Sequence, residues 1–351
     1  MTAGYPRNLA GRRLPLNEIA VRAGVSISTV SRVLNNKAHT ISDEVQQRVL
    51  SAVSEINPNN AVLKKKLEHV GLFSNRLIDT SIEPFHFGIM AGIQAECQRQ
   101  SIHFSFTLLK PELETATFIQ NKVKQNYIDG LIFMAVDNRV FLENVLQLGL
   151  PSVLINSRHL DLPVDTFLPD NMTGTTLAIQ YLLAKGHRRI LHLTDLRRGT
   201  IRTRHLGYRA TLEDAGVEYD PSLVVIAADV GATEAYEAMK KFLASTHPDF
   251  TAIFCANDMT AIGVMKALRE AGLNVPNDVS IVGFDDIAIA EFTDPALTTI
   301  RVEREAIGAK ALQGLINRAG NTEQLPYTLE VACKLVERDS VVSLPHQEFL
   351  E

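Results

Sequence analysis

The sequence predicts a small all-α head followed by an α/β core of two doubly wound parallel-sheet lobes. Residues 16–56 repeat apolar side chains at helical spacing, whereas after residue 70 short apolar segments alternate with amphipathic stretches. Apolar strands separated by helices indicate a parallel sheet covered on both faces, and this alternation occurs twice in succession. A chain of 351 residues is long enough for two or three such units.

The head is predicted to contain three short helices. In the first, Leu16, Ile19, Ala20 and Ala23 share one face, and the helix stops at Gly24. The second covers about 26–34 and the third about 42–56. The small residues Ala20 and Gly24 are expected to let the first two helices approach closely at a tight turn.

The core is predicted from two successive sets of strands. Strand-like segments occur at 70–73, 102–109, 129–136 and 151–156, and again at 188–193, 223–229, 251–257 and 279–285. Helix-like stretches lie at about 86–100, 112–126 and 139–149, and then at about 171–185, 204–216, 232–245 and 258–272. Ligands of doubly wound sheets bind outside the carboxyl ends of the strands, so we expect a ligand cleft between the lobes.

Charge and composition narrow the functional class. Residues 1–68 hold ten basic and five acidic side chains, while the remainder holds 25 basic and 35 acidic ones. A basic head on an acidic body fits a polyanionic partner bound at one end. No signal peptide or membrane-spanning run is recognisable, so a cytoplasmic, nucleoid-associated protein is expected. The three cysteines lack paired spacing, which argues against a disulfide framework or a metal site, and no cofactor is expected.

The second helix of the head has an outer face suited to reading DNA. Its members are Ile27, Ser28, Thr29, Ser31, Arg32 and Asn35, and Ser26 begins the helix. In a major groove, Arg32 can bond a guanine bidentately, the hydroxyls of Ser28 and Thr29 can bond bases or phosphates, and Ile27 can touch a thymine methyl. The alternative is a small helical bundle with a merely polar face, which spacing alone leaves open.

The string LNEIAVRAGVSISTVSRVLNN, residues 16–36, resembles the opening signature of the LacI/GalR (lactose repressor) family of bacterial transcription regulators. The resemblance extends from about residue 15 to 342, and 254–286 is its longest stretch. It implies a sequence-specific repressor with a periplasmic-binding-protein-like core and a sugar-like effector. It also assigns base reading to Ile27, Ser28 and Arg32, and backbone contacts to Asn35 and His39.

The segment between head and core departs from the family pattern. Members carry a hinge in which a leucine wedges into the minor groove. Here the segment is about five residues shorter, and its register leaves two positions for the wedge: Leu67, or a residue within 63–65. Leu67 is the preferred assignment. Lys64, Lys65 and Lys66 would then contact phosphates, the alternative being a solvated linker.

The resemblance also assigns the effector site. Arg204 is expected to begin a helix beside the cleft, and Asn257 and Asp285 to end strands, although Asn257 is also placed to cap a helix. Further positions follow by alignment: Asn75, Phe85, His86, Asn156, Arg158 and Arg304. At Arg304 many members carry an aromatic residue. Together with Arg76, Arg158 and Arg204 it suggests an anionic effector, such as a sugar acid or sugar phosphate. The alternative is that some of these arginines form surface ion pairs.

The predicted organisation comprises an arm (1–14), a helix-turn-helix domain (15–56), a hinge (57–68), a core (69–345) and a tail (346–351). Lobe 1 covers about 69–168 and 302–330, and lobe 2 about 169–301 and 331–345; a segment resembling the last strand lies at 336–341. A homodimer on double-stranded operator DNA is expected, since the C-terminal tail is too short for a tetramerisation helix.

Two rival classes are weighed. A periplasmic sugar-binding protein would share the lobes but lack the head. An enzyme is not expected, because no phosphate-binding loop, dinucleotide fingerprint or nucleophile motif is present.

Overall fold

The computed structural model describes residues 15–34, 41–56, 67–75, 84–159, 161–245, 249–321 and 324–345. The head contains three helices: α1 (Leu16–Ala23), α2 (Ile27–Leu34) and α3 (Asp43–Ile56). Their buried faces form one small core that includes Ile19, Val30 and Val53. The helical spacing of the apolar residues therefore predicted the three helices of the head correctly.

The turn between α1 and α2 depends on the backbone conformation of Gly24. Its φ is 64°, in the left-handed region, and its N–H bonds to carbonyls at the end of α1. A Cβ at this position would meet nothing within 4 Å. The glycine is therefore needed for its φ, and the expectation that it lets the helices approach closely is wrong.

Lobe 1 is built on a six-stranded sheet in the order β11-β5-β4-β3-β1-β2, in which every pairing is parallel. The strands are β1 (His69–Ser74), β2 (His103–Leu108), β3 (Gly130–Met134), β4 (Ser152–Ile155), β5 (Asp165–Pro169) and β11 (Thr328–Val331). Its helices are α4 (Pro84–Gln100), α5 (Ala116–Asn126), α6 (Arg139–Leu146) and α11 (Arg304–Gly320).

Lobe 2 is built on a four-stranded parallel sheet in the order β7-β6-β8-β9. The strands are β6 (Ile190–Thr194), β7 (Val224–Ile226), β8 (Ala252–Cys255) and β9 (Ser280–Val282), and the helices are α7 (Asn171–Ala184), α8 (Gly199–Asp214), α9 (Ala232–Ser245) and α10 (Asp258–Glu270). The strands are almost entirely buried, which explains their continuous apolar runs.

The chain passes between the lobes three times: between β5 and α7, between β10 (Thr299–Arg301) and α11, and between β11 and β12 (Lys334–Val336). Strands β10 and β12 pair with each other in an antiparallel ribbon. After β12 the chain returns to lobe 2, where the Ile281 N–H donates to the carbonyl of Ser340 (2.8 Å). A two-lobed α/β core with three connections results.

Some predicted boundaries differ from the structure. Helix α8 begins at Gly199, so Arg204 lies in its second turn and does not begin it. The last strand ends at Val336, and the segment expected to form it at 336–341 is mostly irregular. Strand β5 was not predicted, since Asp and Pro disfavour strands and its pairing depends on two neighbours distant in sequence.

Among the described residues, no helix is long and apolar enough to cross a membrane.

Candidate effector cleft and DNA-reading helix

A cavity of about 430 Å³ lies within the core, at the carboxyl ends of strands from both lobes. Lobe 1 contributes the start of α4 and the residue that follows β4 to its wall. Lobe 2 contributes the segments that follow β6, β7, β8 and β9. The described lining residues are Pro84, Phe85, His86, Asn156, Arg198, Thr200, Ile201, Arg204, 229–234, Asn257, Met259, Asp285 and Ile287. Doubly wound sheets bind ligands at this edge.

The guanidinium of Arg204 is held in place on three sides. Its Nε donates to Oδ1 of Asn171 (2.8 Å), its Nη1 to the carbonyl of Ala256 (2.5 Å) and its Nη2 to Oδ1 of Asp285 (3.0 Å). The face of the group lies 3.6 Å from the centre of the Phe284 ring. This arrangement fixes the orientation of the Arg204–Asp285 pair in the cavity wall.

Behind this pair, the carboxyl group of Asp258 is completely buried. It accepts hydrogen bonds from the hydroxyl of Thr299 (2.5 Å) and the N–H of Ile287 (2.8 Å). Burial, followed by the nearby Asp285 carboxylate, raises the pKa of Asp258 well above its usual range. Asp258 braces the segment that carries Asp285 and does not itself line the cavity.

The lobe 1 wall is built around Asn156, which adopts a left-handed φ of 53° directly after β4. Its Nδ2 lies 3.3 Å from Nε2 of His86, and its carbonyl accepts a bond from Nη2 of Arg198 (2.7 Å). The Nε of Arg198 also donates to Asp137 (2.9 Å), so a lobe 2 arginine binds two lobe 1 groups. Arg198 therefore ties the two walls of the cavity together.

Two further carboxylates line the cavity, one before α9 and one in its first turn. Asp229 lies 3.1 Å from Nη2 of the exposed Arg197. Glu234 follows in the first turn of α9, where the helix dipole favours a negative charge. The charged side chains among the described lining residues are thus three carboxylates and two arginines, of which Asp229, Asp285, Arg198 and Arg204 each have an oppositely charged partner.

Six of the nine residues predicted for the effector site line this cavity: Phe85, His86, Asn156, Arg204, Asn257 and Asp285. The other three, Asn75, Arg158 and Arg304, are not among the described lining residues. Asn75 is exposed after β1. Arg158 pairs with Glu330 (2.8 Å), and Nη2 of Arg304 donates to the backbone carbonyl of Asp286 (3.1 Å).

Asn257 combines the two roles that its sequence position suggested. Its Oδ1 accepts the Thr260 N–H (2.7 Å) and caps α10, while the residue also lines the cavity. Contact with an effector remains a prediction.

Several lining residues were not predicted from the sequence, among them Arg198, Thr200, Asp229, Glu234 and Met259. The one available signal was that 229–234 and 198–200 each follow a lobe 2 strand, where such folds place ligand groups. The pairing of Arg198 with Asp137 links positions 61 residues apart and is not readable from local spacing.

In the head, α2 presents the predicted outer face. Ile27, Ser28 and Arg32 are exposed, whereas Thr29 and Ser31 are half-buried. The Ser26 hydroxyl accepts the Thr29 N–H (3.1 Å) and caps the helix, and it also lies 2.8 Å from the Ser28 hydroxyl. DNA contact by these six residues remains a prediction.

The remaining DNA-binding predictions concern the segments that flank α2 and the hinge. Asn35, His39, Lys64, Lys65 and Lys66 lie outside the described residues, as does Arg76. Leu67 is described just before β1, where only 1% of it is exposed. Its role as a wedge remains a prediction, and insertion into DNA would require this side chain to leave its buried position.

A helix-turn-helix head and a two-lobed core with a polar cavity together define a DNA-binding regulator that carries a ligand-binding domain. The model for bacterial regulatory proteins of the lacI family matches residues 15–59, and that for a periplasmic binding protein-like domain matches residues 179–341. The chain is 31% identical over 336 residues to the ribose operon repressor of Escherichia coli (strain K12), covering 93% of this chain and 99% of that protein. The chain belongs to the lacI family, and it is a DNA-binding repressor with a ligand-binding domain.

Two further relatives are similar over most of the chain. The HTH-type transcriptional repressor PurR of Erwinia tasmaniensis is 30% identical over 339 residues, covering 95% of this chain and 98% of that protein. The structure of the transcriptional regulator CelR–cellobiose complex superposes with a TM-score of 0.72 at 28% identity, covering 93% of this chain and all of that chain. These relatives support the same family assignment, and one of them was solved in complex with cellobiose.

Proposed function

We propose that this chain is a transcription repressor whose operator affinity is set by a neutral, polyhydroxylated effector bound in the cavity. The observation that carries this proposal is the buried Arg204–Asp285 pair in the cavity wall. It offers a fixed donor beside a fixed acceptor. A sugar hydroxyl both donates and accepts, so two neighbouring hydroxyls fit such a pair.

The charge balance of the cavity favours a neutral effector over the anionic one suggested by the sequence. Of the four arginines behind that hypothesis, only Arg204 is among the described lining residues. Arg204 and Arg198 are each already paired with a carboxylate. Glu234 adds a negative charge to the cavity wall, where it would repel an anion, whereas Asp229 is itself paired with Arg197. One relative is named as a repressor of the ribose operon, and another was solved in complex with cellobiose; both sugars are neutral.

The regulatory mechanism we propose is linkage between two sites. An effector that contacts both lobes favours one lobe arrangement, and two heads on a homodimer must match half-sites about one helical turn apart. Effector and operator affinities are then coupled reciprocally. The chain would act in the cytoplasm, on chromosomal DNA, and without catalytic activity of its own.

Selection from random duplex DNA followed by ligand titration tests this proposal. The full chain should enrich a two-fold symmetric site, and light scattering should give the mass of a dimer. In thermal unfolding, a neutral sugar should raise the melting temperature by mass action, whereas the matching sugar acid and sugar phosphate should not. The same sugar should change the affinity for the selected site.

Glu234→Gln provides a control for the charge argument, because it removes one carboxylate at nearly constant shape. This variant should reduce the difference in affinity between the neutral sugar and its acid. A sugar acid that binds the wild type more tightly than the neutral form would overturn the neutral-effector proposal. Failure to enrich any DNA sequence would overturn the proposal as a whole.

A further inference from the structure

The turn after β9 contains two successive aspartates with unusual backbone conformations. Asp285 has a φ of 110° and Asp286 a φ of 51°, both in the region that favours glycine. Such conformations are unfavourable for residues with a Cβ and persist only where the surroundings impose them. Contacts at both the ends and the middle hold this turn.

The two ends of the turn are held by Asp258. Its N–H donates to the carbonyl of Phe284 (2.8 Å), and its Oδ2 accepts the N–H of Ile287 (2.8 Å). A backbone bond from the Asp285 N–H to the carbonyl of Ile300 (2.7 Å) adds a contact to the neighbouring strand. None of these bonds reaches the Asp286 side chain.

The middle of the turn is held by arginines on its far side. The Asp286 carboxylate accepts bonds from Nε of Arg301 (2.6 Å) and Nη2 of Arg338 (2.7 Å), and the Asp286 carbonyl accepts one from Nη2 of Arg304 (3.1 Å). The Asp286 side chain is only 7% exposed. Burial raises its pKa, but the bonds from Arg301 and Arg338 outweigh this effect, so the pKa of Asp286 is lowered and its carboxylate is charged at neutral pH.

These partners come from the connections between the lobes. Arg301 and Arg304 flank the second connection, and Arg338 follows the third. The first connection takes part through Asn171, which accepts from Arg204, the partner of Asp285. One dipeptide therefore faces the effector cavity through Asp285 and the interlobe connections through Asp286.

We propose that Asp286 is a positioning residue for effector binding. By binding Arg301 and Arg338 it holds the turn in the conformation that directs Asp285 at Arg204 and the cavity. A change in lobe angle moves the connections, alters the bonds to Asp286 and so changes the effector site. This inference rests on the proposed function, because it presumes that the effector binds beside Asp285.

Asp286→Asn tests the inference, since it keeps the shape and removes the charge that serves two arginines. The matched control is Asp220→Asn. Asp220 also binds an arginine, Arg189 (2.9 Å), in lobe 2 but is not among the residues that line the cavity. The probes are ribose, glucose, galactose and cellobiose, titrated by calorimetry against the full-length wild type, and any sugar that binds is then titrated against both variants.

We expect Asp286→Asn to raise the dissociation constant of that sugar about tenfold, the usual scale for losing a charged hydrogen bond, and Asp220→Asn to change it less than twofold. In hydrogen exchange without ligand, residues 284–287 and 300–302 should exchange faster in Asp286→Asn than in the control. The ligand-free measurement matters, because a wild type that binds none of the four sugars would count against the proposed effector while exchange still tests Asp286.

Unchanged sugar affinity in Asp286→Asn would overturn the inference, even with a lowered melting temperature, because that pattern describes a purely structural ion pair. Unchanged exchange at 284–287 would overturn it as well. If Asp286→Asn does not fold, Arg301→Gln removes one of the two bonds at a half-exposed side chain and is read by the same two measurements.

Discussion

The Nη2 of Arg204 lies 3.0 Å from Oδ1 of Asp285, and the two side chains are only 3% and 7% exposed. A buried pair of this kind is costly to break, because removing one partner leaves the other charge without compensation. The arginine therefore reaches the cavity with its charge already balanced by Asp285. The pair thus contributes to the stability of the core.

Arg204→Ala should lower the free energy of unfolding by about 3–5 kcal/mol, because it leaves the Asp285 carboxylate buried and unpaired. The measurement is urea denaturation followed by far-UV circular dichroism. Arg158→Ala is the control, since Arg158 pairs with Glu330 at a site where both side chains are about one-third exposed. Such pairs contribute about 0–1 kcal/mol. Equal losses in the two variants would contradict the prediction.

Arg32→Ala should weaken binding to the selected operator by about 1–3 kcal/mol and relax base preference at one position of each half-site, because the side chain is exposed on α2 and is predicted to bond a guanine. Fluorescence anisotropy with the operator and its single-base variants measures both effects. The control is Arg209→Ala, which removes the same charge from an exposed ion pair on α8 and should leave the base preference unchanged. If Arg32→Ala discriminates bases as well as the wild type does, α2 does not read them through this residue.

Gly263→Ala should destabilise the core by about 1–3 kcal/mol, the usual cost of overpacking. Gly263 lies where α10 crosses α9, and a Cβ would overlap the carbonyl oxygen of Ala232, which lines the cavity. We therefore also expect weaker sugar binding.

Gly272→Ala is the companion variant for Gly263→Ala. Gly272 has a φ of 77° but open space around its Cβ position, so its cost is about 1 kcal/mol and comes from the backbone alone. It should leave sugar affinity unchanged. If Gly263→Ala has the wild-type free energy of unfolding, α9 and α10 can move apart without destabilising the core, and the prediction is wrong.

Local patterning was sufficient to predict most of the fold. Strands such as β3 and β8 are continuous apolar runs, and their short length between helix-like stretches identifies them as buried strands. Strand β5 was missed, since Asp165 and Pro169 disfavour a strand and only its pairing with β4 and β11 stabilises it. Tertiary contacts overrode propensity there.

Part of the cavity lining was predictable from a residue's place in the fold, and part from alignment, which assigned Phe85, His86 and Asn156 to it. Asp285 and Asn257 follow strand ends and therefore reach the cavity. Arg158 and Arg304 were assigned by alignment, but their side chains have partners far away in sequence or on another segment, Glu330 and the Asp286 carbonyl. The direction of a long side chain depends on such partners, which a single sequence does not display.

The last prediction concerns pH and a buried histidine in lobe 2. His192 is fully buried between Phe254, Tyr208 and His205, and burial lowers its pKa to about 3. Its Nδ1 lies 3.0 Å from the carbonyl of Phe254, so the neutral ring carries its proton there. In the unfolded chain this histidine has a pKa of about 6.5 and becomes protonated below that pH, whereas in the folded chain it stays neutral until the pH approaches 3.

The stabilisation linked to neutral His192 is therefore present above pH 6.5 and is lost as the pH falls toward 3. Between pH 6.5 and 5 the loss is about 2 kcal/mol for one such group. His192→Phe should show a smaller fall in unfolding free energy between pH 7 and 5 than the wild type, measured by urea denaturation at each pH. His187 and His205, whose pKa values burial also lowers, should leave some slope in the variant. His103→Gln, on an exposed position of β2, keeps His187, His192 and His205 and should retain the wild-type slope. If His192→Phe and His103→Gln fall equally, burial of His192 is not what makes the core sensitive to acid.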